Sequence, residues 1–324
     1  MLKKIKNKKW CRIHHFNIAF FASIMWFWWL SLATTKFELV YSLNSNFSVY
    51  ILYLSLILFI IVSILYILKI FINFKDVKSD FYHPVKSNFF PGIWKIFLIF
   101  SIAFLHIDKN LSFIFFICWI IIQSIFTIIL FRRWIIHEMD IKNLNPLWFL
   151  PIVGNMLVPV AWVSLGFIKL SWFFFSVWVI MWCLLFSIIL NRIIFHNPLP
   201  DKLMPTLFIL IAPPSVALIS ITNLYKWEIL EIAKIFYYFS IFMFIMIVSK
   251  INILSKLKFF MSSWAYSFPM AVLTTATILY YEKTWFVFIW YLWIFFYTIL
   301  ILIIIFLSYK TLLWAKKKEL CIEE

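Results

Sequence analysis

The sequence predicts an all-α integral membrane protein built from ten helices of two alternating kinds. Three observations carry that prediction. Hydrophobic residues make up 65% of the 324-residue chain and mean hydropathy is +1.00, whereas soluble domains run nearer about 45–50% apolar. The apolar residues fall into ten stretches of roughly 20 residues, each long enough to cross about 30 Å of hydrocarbon. All eleven prolines (Pro84, Pro91, Pro146, Pro151, Pro159, Pro198, Pro200, Pro205, Pro213, Pro214 and Pro269) lie in or just ahead of every second stretch, as do Gly92, Gly154 and Gly166.

Span one is expected at 15–34. The basic start ahead of it resembles that of a signal peptide, but no small-residue cleavage site follows, so it reads as an uncleaved first helix. Spans two (49–71), four (111–134), six (171–194), eight (230–249) and ten (284–308) are proline-free runs rich in Ile, Leu, Phe and Trp, expected to be straight and lipid-facing. Span three (88–106) holds Pro91, span five (147–168) Pro151 and Pro159, span seven (203–224) Pro205, Pro213 and Pro214, and span nine (260–281) Pro269. Proline removes a helix hydrogen bond and is best tolerated in a membrane where neighbours or water satisfy the freed carbonyl. The proline-bearing set is therefore expected to be buried and bent, the layout of a lined pathway. The joins are short, which leaves one membrane domain at 15–308 between tails at 1–14 and 309–324.

The net charge of +16 sorts by loop. Of 29 Lys and Arg, 22 fall on one side of the expected topology and five on the other. That asymmetry is the positive-inside pattern, which puts both termini in the cytoplasm of a multi-pass protein of the plasma (inner) membrane. The basic surplus meets anionic lipid headgroups; it is not a nucleic-acid patch. Cys11, Cys118, Cys183 and Cys321 show no paired spacing, so neither a disulfide nor a metal site is expected.

None of the 13 acidic residues lies well inside a span, which favours anions or neutral solutes over cations. Lys95, one turn beyond Pro91, fits two roles: snorkelling to the interface, or attracting anions at the inner mouth. Lys234 reads as snorkelling or paired with Glu231. The hydroxyls of spans seven and nine, among them Ser215, Thr222, Thr274 and Thr277, either bond their own helix backbone or offer weak donors to an anion. No HExxH, aspartate-rich or Gly-rich phosphate motif occurs, so neither catalysis nor a cofactor is expected.

Four stretches line up with one family. They are Tyr82-His83-Pro84-Val85-Lys86 with Asn88-Phe89-Phe90, Pro151-Ile152-Val153-Gly154-Asn155 with Pro159, Pro205-Thr206-Leu207-Phe208 with Ile211-Ala212-Pro213-Pro214, and Trp264-Ala265-Tyr266-Ser267-Phe268-Pro269-Met270. Together they resemble the tellurite-resistance and dicarboxylate transporter family, which includes the plant slow anion channels. The resemblance implies five helical hairpins in quasi-fivefold order, with kinked odd-numbered helices around a central pore and even-numbered helices outside. It also implies a homotrimer with one pore per subunit, and a phenylalanine plug on helix nine that falls at Phe268. Two departures stand out: Phe16–Trp29 contains none of the glycines usual in helix one, and the tails are short beside the regulatory tails of the plant channels.

The resulting expectation is an anion channel for chloride, nitrate or similar ions, gated by Phe268 and shaped by Pro151, Pro159, Pro213 and Pro269. The rival is a secondary exporter of dicarboxylate, sulfite or tellurite-type oxyanions, which would favour an intramembrane Arg. Arg132, Arg133 and Arg192 instead lie at span ends.

Overall fold

The computed structural model describes residues 16–43, 45–83, 85–105, 108–225 and 228–317. Pro84, Cys11, Cys321 and the tail 1–14 lie outside them. In chain order the helices are α1 (Phe20–Val40), α2 (Phe47–Ile72), α3 (Phe74–Tyr82), α4 (Pro91–Phe104), α5 (Lys109–Ile136), α6 (Leu150–Met156), α7 (Val158–Trp162), α8 (Ile168–Phe195), α9 (Ala212–Leu224), α10 (Glu231–Val248), α11 (Ile251–Leu254), α12 (Ser267–Thr284) and α13 (Val287–Lys317). All regular structure among the described residues is helical.

Among the described residues, six helical segments are long and apolar enough to cross a membrane: α2, α5, α8, α10, α13 and the continuous run Met204–Leu224. An unbroken α-helix satisfies its own backbone, which is what a lipid-facing segment requires. Expected spans one, three, five and nine fold as shorter or less apolar elements packed against protein. Contact with protein rather than lipid relaxes the demand on length and hydropathy.

Four of the proline-bearing spans share one local plan. Each begins with a 3-10 turn, at Lys86–Phe89, Pro146–Phe149, Met204–Ile211 and Met261–Tyr266, and passes into α4, α6, α9 and α12. A proline stands within the first three residues of each α segment: Pro91, Pro151, Pro213 with Pro214, and Pro269. In the first turn an N–H has no intrahelical partner to lose, so proline fits there. These prolines therefore mark a junction between two helix types. The eight residues of Met204–Ile211 exceed the usual 3-10 run of about 3–4. Pro159 differs, being the second residue of α7 and splitting span five after Leu157. That span ends at Gly166, whose φ of +85° suits glycine because no Cβ is present to clash.

The two sets pair. α1 packs along α2, α4 along α5, α6 and α7 along α8, α9 along α10, and α12 along α13. Within the inner set α1 touches α4, α4 touches α6 and α7, α7 touches α9, α9 touches α12, and α12 touches α1. The contacts close on themselves.

Two ends differ from the expected boundaries. α1 continues past residue 34 because its polar last turns find partners. Thr34 Oγ1 lies 3.1 Å from the Tyr297 hydroxyl, Lys36 pairs with Glu282 at 3.1 Å, and Glu38 accepts from Ser48 Oγ at 2.5 Å. α13 continues past 308 to Lys317, where Lys316 and Lys317 favour the negative end of the helix dipole.

Candidate functional site: a basic vestibule and the cavity at Phe268

The starts of all five inner segments meet around one cavity of about 440 Å³. Its wall takes Phe16, Asn17 and Ala19 from the first, Val85, Lys86 and Phe89 from the second and Leu147 from the third; Lys202 with Leu203 and Met261 with Ser262 come from the fourth and fifth. Lys69 from α2, Asp76, Ser79 and Asp80 from α3, and His83 just after it complete the wall. A second cavity of about 10 Å³ shares Phe89, Leu147 and Ser262 with the first and continues to Leu150, Ile209, Ala265 and Phe268. That volume holds about one water. The two cavities thus share part of their wall, and the narrower one reaches the Phe268 ring. Phe268 is 3% exposed, and its ring centroid lies 5.6 Å from that of Trp29 on α1. The helix-one stretch that lacks glycine therefore brings a bulky ring against Phe268.

The vestibule is charged. Asp80 accepts from Lys69 Nζ at 2.6 Å and from Lys86 Nζ at 2.8 Å. Lys69 also donates to the Phe16 carbonyl at 3.0 Å, tying α2 to the start of the first segment. Burial opposes ionisation of Asp80, but hydrogen bonds and charge from the two lysines outweigh it, so the carboxyl stays below its ordinary range. His83 Nδ1 accepts the backbone N–H of Val85 and of Lys86 at 3.1 and 3.2 Å and so holds the turn that leads to Phe89. Burial and then the nearby Lys86 keep this imidazole below its ordinary value, against a smaller opposing pull from Asp80.

Side chains from neighbouring helices meet the carbonyls of the broken span five. Gln123, buried on α5, donates to the Pro151 carbonyl at 2.6 Å and accepts from Trp94 Nε1 at 3.0 Å. Ser220 donates to the Met156 carbonyl at 2.7 Å and Asn223 to that of Pro159 at 3.3 Å. Lys95 is buried too, and its Nζ donates to the Leu150 carbonyl at 3.0 Å. Lys95 lines neither cavity. Lys234 pairs with Glu231 at 2.6 Å.

Phe268 lines the narrower cavity, with Pro269 beside it in the first turn of α12. Pro151 and Pro159 offer their carbonyls to Gln123 and Asn223, and Pro213 opens α9 inside the buried set. Most of the hydroxyls singled out on spans seven and nine bond their own helix: Ser215 to the Ile211 carbonyl, Thr222 to Leu218, Thr274 to Met270 and Thr277 to Leu273. Sequence reasoning missed Asp80 and Gln123 as site residues, quoted His83 and Lys86 only within the motif that carries the family resemblance, and read Lys69 and Lys202 only as a topology signal.

Residues 15–312 match the model of the voltage-dependent anion channel family, SLAC1. The chain belongs to that family. It is 29% identical over 265 residues to the S-type anion channel SLAH2 of Arabidopsis thaliana, covering 79% of this chain and 50% of the relative. It is 25% identical over 260 residues to the guard cell S-type anion channel SLAC1 of the same plant, covering 78% of this chain and 47% of the relative. The chain thus spans about half the length of these plant relatives. The uncharacterized transporter MJ0762 of Methanocaldococcus jannaschii is 25% identical over 295 residues, with 83% of this chain and 86% of that protein covered. With several apolar helices and channel or transporter relatives, this is a multi-pass membrane protein of an anion channel and transporter family.

Proposed function

We propose that the chain forms a pore for small anions such as chloride or nitrate, closed by Phe268. The observation that carries this reading is the convergence of all five inner segment starts on one basic cavity that narrows to the Phe268 ring. An aromatic ring in a narrow apolar constriction excludes water and therefore ions, while a wide charged mouth collects ions without binding them tightly.

In this reading the four shorter inner segments cross the membrane with the six long helical segments, giving ten crossings as five hairpins in quasi-fivefold order. Closed contacts among the inner set and the pairing of each member with an outer helix support that arrangement. The lysine-rich ends, including both tails, face the cytoplasm across the plasma (inner) membrane, as the charge asymmetry favours. Pro151, Pro159, Pro213 and Pro269 shape the path by setting where each inner segment changes helix type. Lys95, the other residue considered for the mouth, acts in this reading by holding the Leu150 carbonyl beside the narrow cavity. The family resemblance adds a trimer with one pore per subunit, which native mass spectrometry of the purified protein would register as three chains.

The test is a reversal potential. Purified Phe268→Ala in a planar bilayer under a KCl gradient is expected to pass current that reverses near the chloride potential. Reversal near the potassium potential would overturn the reading.

A further inference from the structure

The vestibule wall already holds an anion. The Asp80 carboxylate bridges Lys69 and Lys86, with one oxygen on each amine. The two amines differ in access. Lys69 has 3% of its side chain exposed and Lys86 has 45%, so Lys69 is held permanently while Lys86 can turn to solvent. Lys202, on the start of another inner segment, forms no ion pair among the described residues.

Resting on the anion-pore reading above, we infer that the 440 Å³ cavity is a collecting site for small inorganic anions at which Asp80 acts as a tethered competitor. A diffusing anion is drawn by Lys202 and takes Lys86 from Asp80, while Lys69 stays locked between Asp80 and the Phe16 carbonyl. Among the described residues the wall carries three lysines against Asp76 and Asp80, so the balance is narrow and neutralising Asp80, the carboxylate on two of the lysines, makes the mouth clearly more positive. Fields from charges lining a low-dielectric cleft raise the local concentration of the opposite ion, and salt screens them. The burial of Asp80 suits this role: its charge faces the cavity and the two amines instead of bulk water.

The experiment compares full-length Phe268→Ala with the same variant carrying Asp80→Asn, Lys86→Gln or Lys202→Gln, recording chloride current in bilayers. Two salt concentrations serve, about 0.01 M and about 1 M KCl, where the screening length falls from about 30 Å to about 3 Å. Asp80→Asn is expected to raise the low-salt current about twofold or more, and each lysine variant to lower it by a similar factor, with all ratios approaching one at high salt. Changes of the same size at both salt concentrations, or changes of one sign for aspartate and lysine variants alike, would mean altered folding instead of an altered field and would overturn the inference. Should Asp80→Asn fail to fold because Lys69 is left unpaired, the lysine variants still decide: unchanged low-salt currents overturn the proposal. If the Phe268→Ala parent passes no anion current at all, the pore reading itself falls and takes this inference with it. A conducting parent with indifferent vestibule variants removes only the inference.

Discussion

The run Met204–Leu224 buries 89% of its most apolar stretch inside the protein, and α2 buries 11% of its own. Both are apolar enough to enter lipid, yet only α2 faces outward along its length. α2 is an unbroken α-helix that closes its own hydrogen bonds. Met204–Leu224 begins as 3-10, carries three prolines and depends on its neighbours. The same division runs through α5 against the broken span five, where Gln123, Lys95, Ser220 and Asn223 serve carbonyls from outside. Irregular backbone is tolerated at membrane depth where protein satisfies it. The inner set thus exchanges self-sufficiency for the freedom to change helix type, and its carbonyls are served by neighbours from both sets: Gln123 from the outer α5, and Lys95, Ser220 and Asn223 from the inner α4 and α9.

Substitutions can break that contrast. The largest effect is expected at Gly154, where an added Cβ would come within 2.8 Å of Gln123 Cδ and Oε1. Gln123 cannot yield without losing Trp94 or the Pro151 carbonyl, so Gly154→Ala should cost about 2–4 kcal/mol, from overpacking plus a lost buried hydrogen bond. Thermal unfolding in detergent would report it, and wild-type stability would show that the inner and outer sets are not locked together here. Next comes Gln123→Leu, which leaves a buried indole N–H and a carbonyl unpaired and should cost about 1–3 kcal/mol in the same assay.

A smaller effect follows from pH. The folded pKa of His83 lies below its ordinary 6.5, so the neutral ring is favoured on folding. Its contribution is fully present above about pH 6.5 and is lost as pH falls through the depressed value, when Nδ1 can no longer accept from Val85 and Lys86. Melting temperature should step down as pH is lowered below about 6.5. His83→Asn, which retains an acceptor without titrating, should flatten that step; an unchanged step would exclude His83 as its origin. The smallest effect is expected on the outer face. Ile135 is 82% exposed, and Ile135→Ala should stay within about 0.5 kcal/mol of wild type. A loss as large as that of Gly154→Ala would erase the contrast between the two sets.

Proline placement made the division into two sets legible in the sequence, because proline acts through the backbone of its own segment. The motifs around Phe268 were legible for the same local reason. The 3-10 leads were not: 3-10 and α differ by one residue in hydrogen-bond register, and packing between segments, such as Met204–Ile211 against Met261–Tyr266, decides between them. Asp80 and Lys69 are 11 residues apart on two different helices, so sequence shows two loop charges and not a buried pair. Gln123 had a visible signal, as an amide inside the otherwise apolar span four. Reading that span as an uninterrupted hydrophobic run passed over it. Lys95 carried a charge that sequence could assign to the interface or to the mouth, whereas its amine is spent on the carbonyl of Leu150, 55 residues away at the start of α6.

The most direct test of the central claim is the chloride current of wild type beside Phe268→Ala at equal reconstituted protein. A plugged pore predicts little current from wild type and a many-fold larger, anion-selective current from the variant. Equal currents from the two proteins, or none from either while both remain folded, would contradict Phe268 as the plug that closes the path.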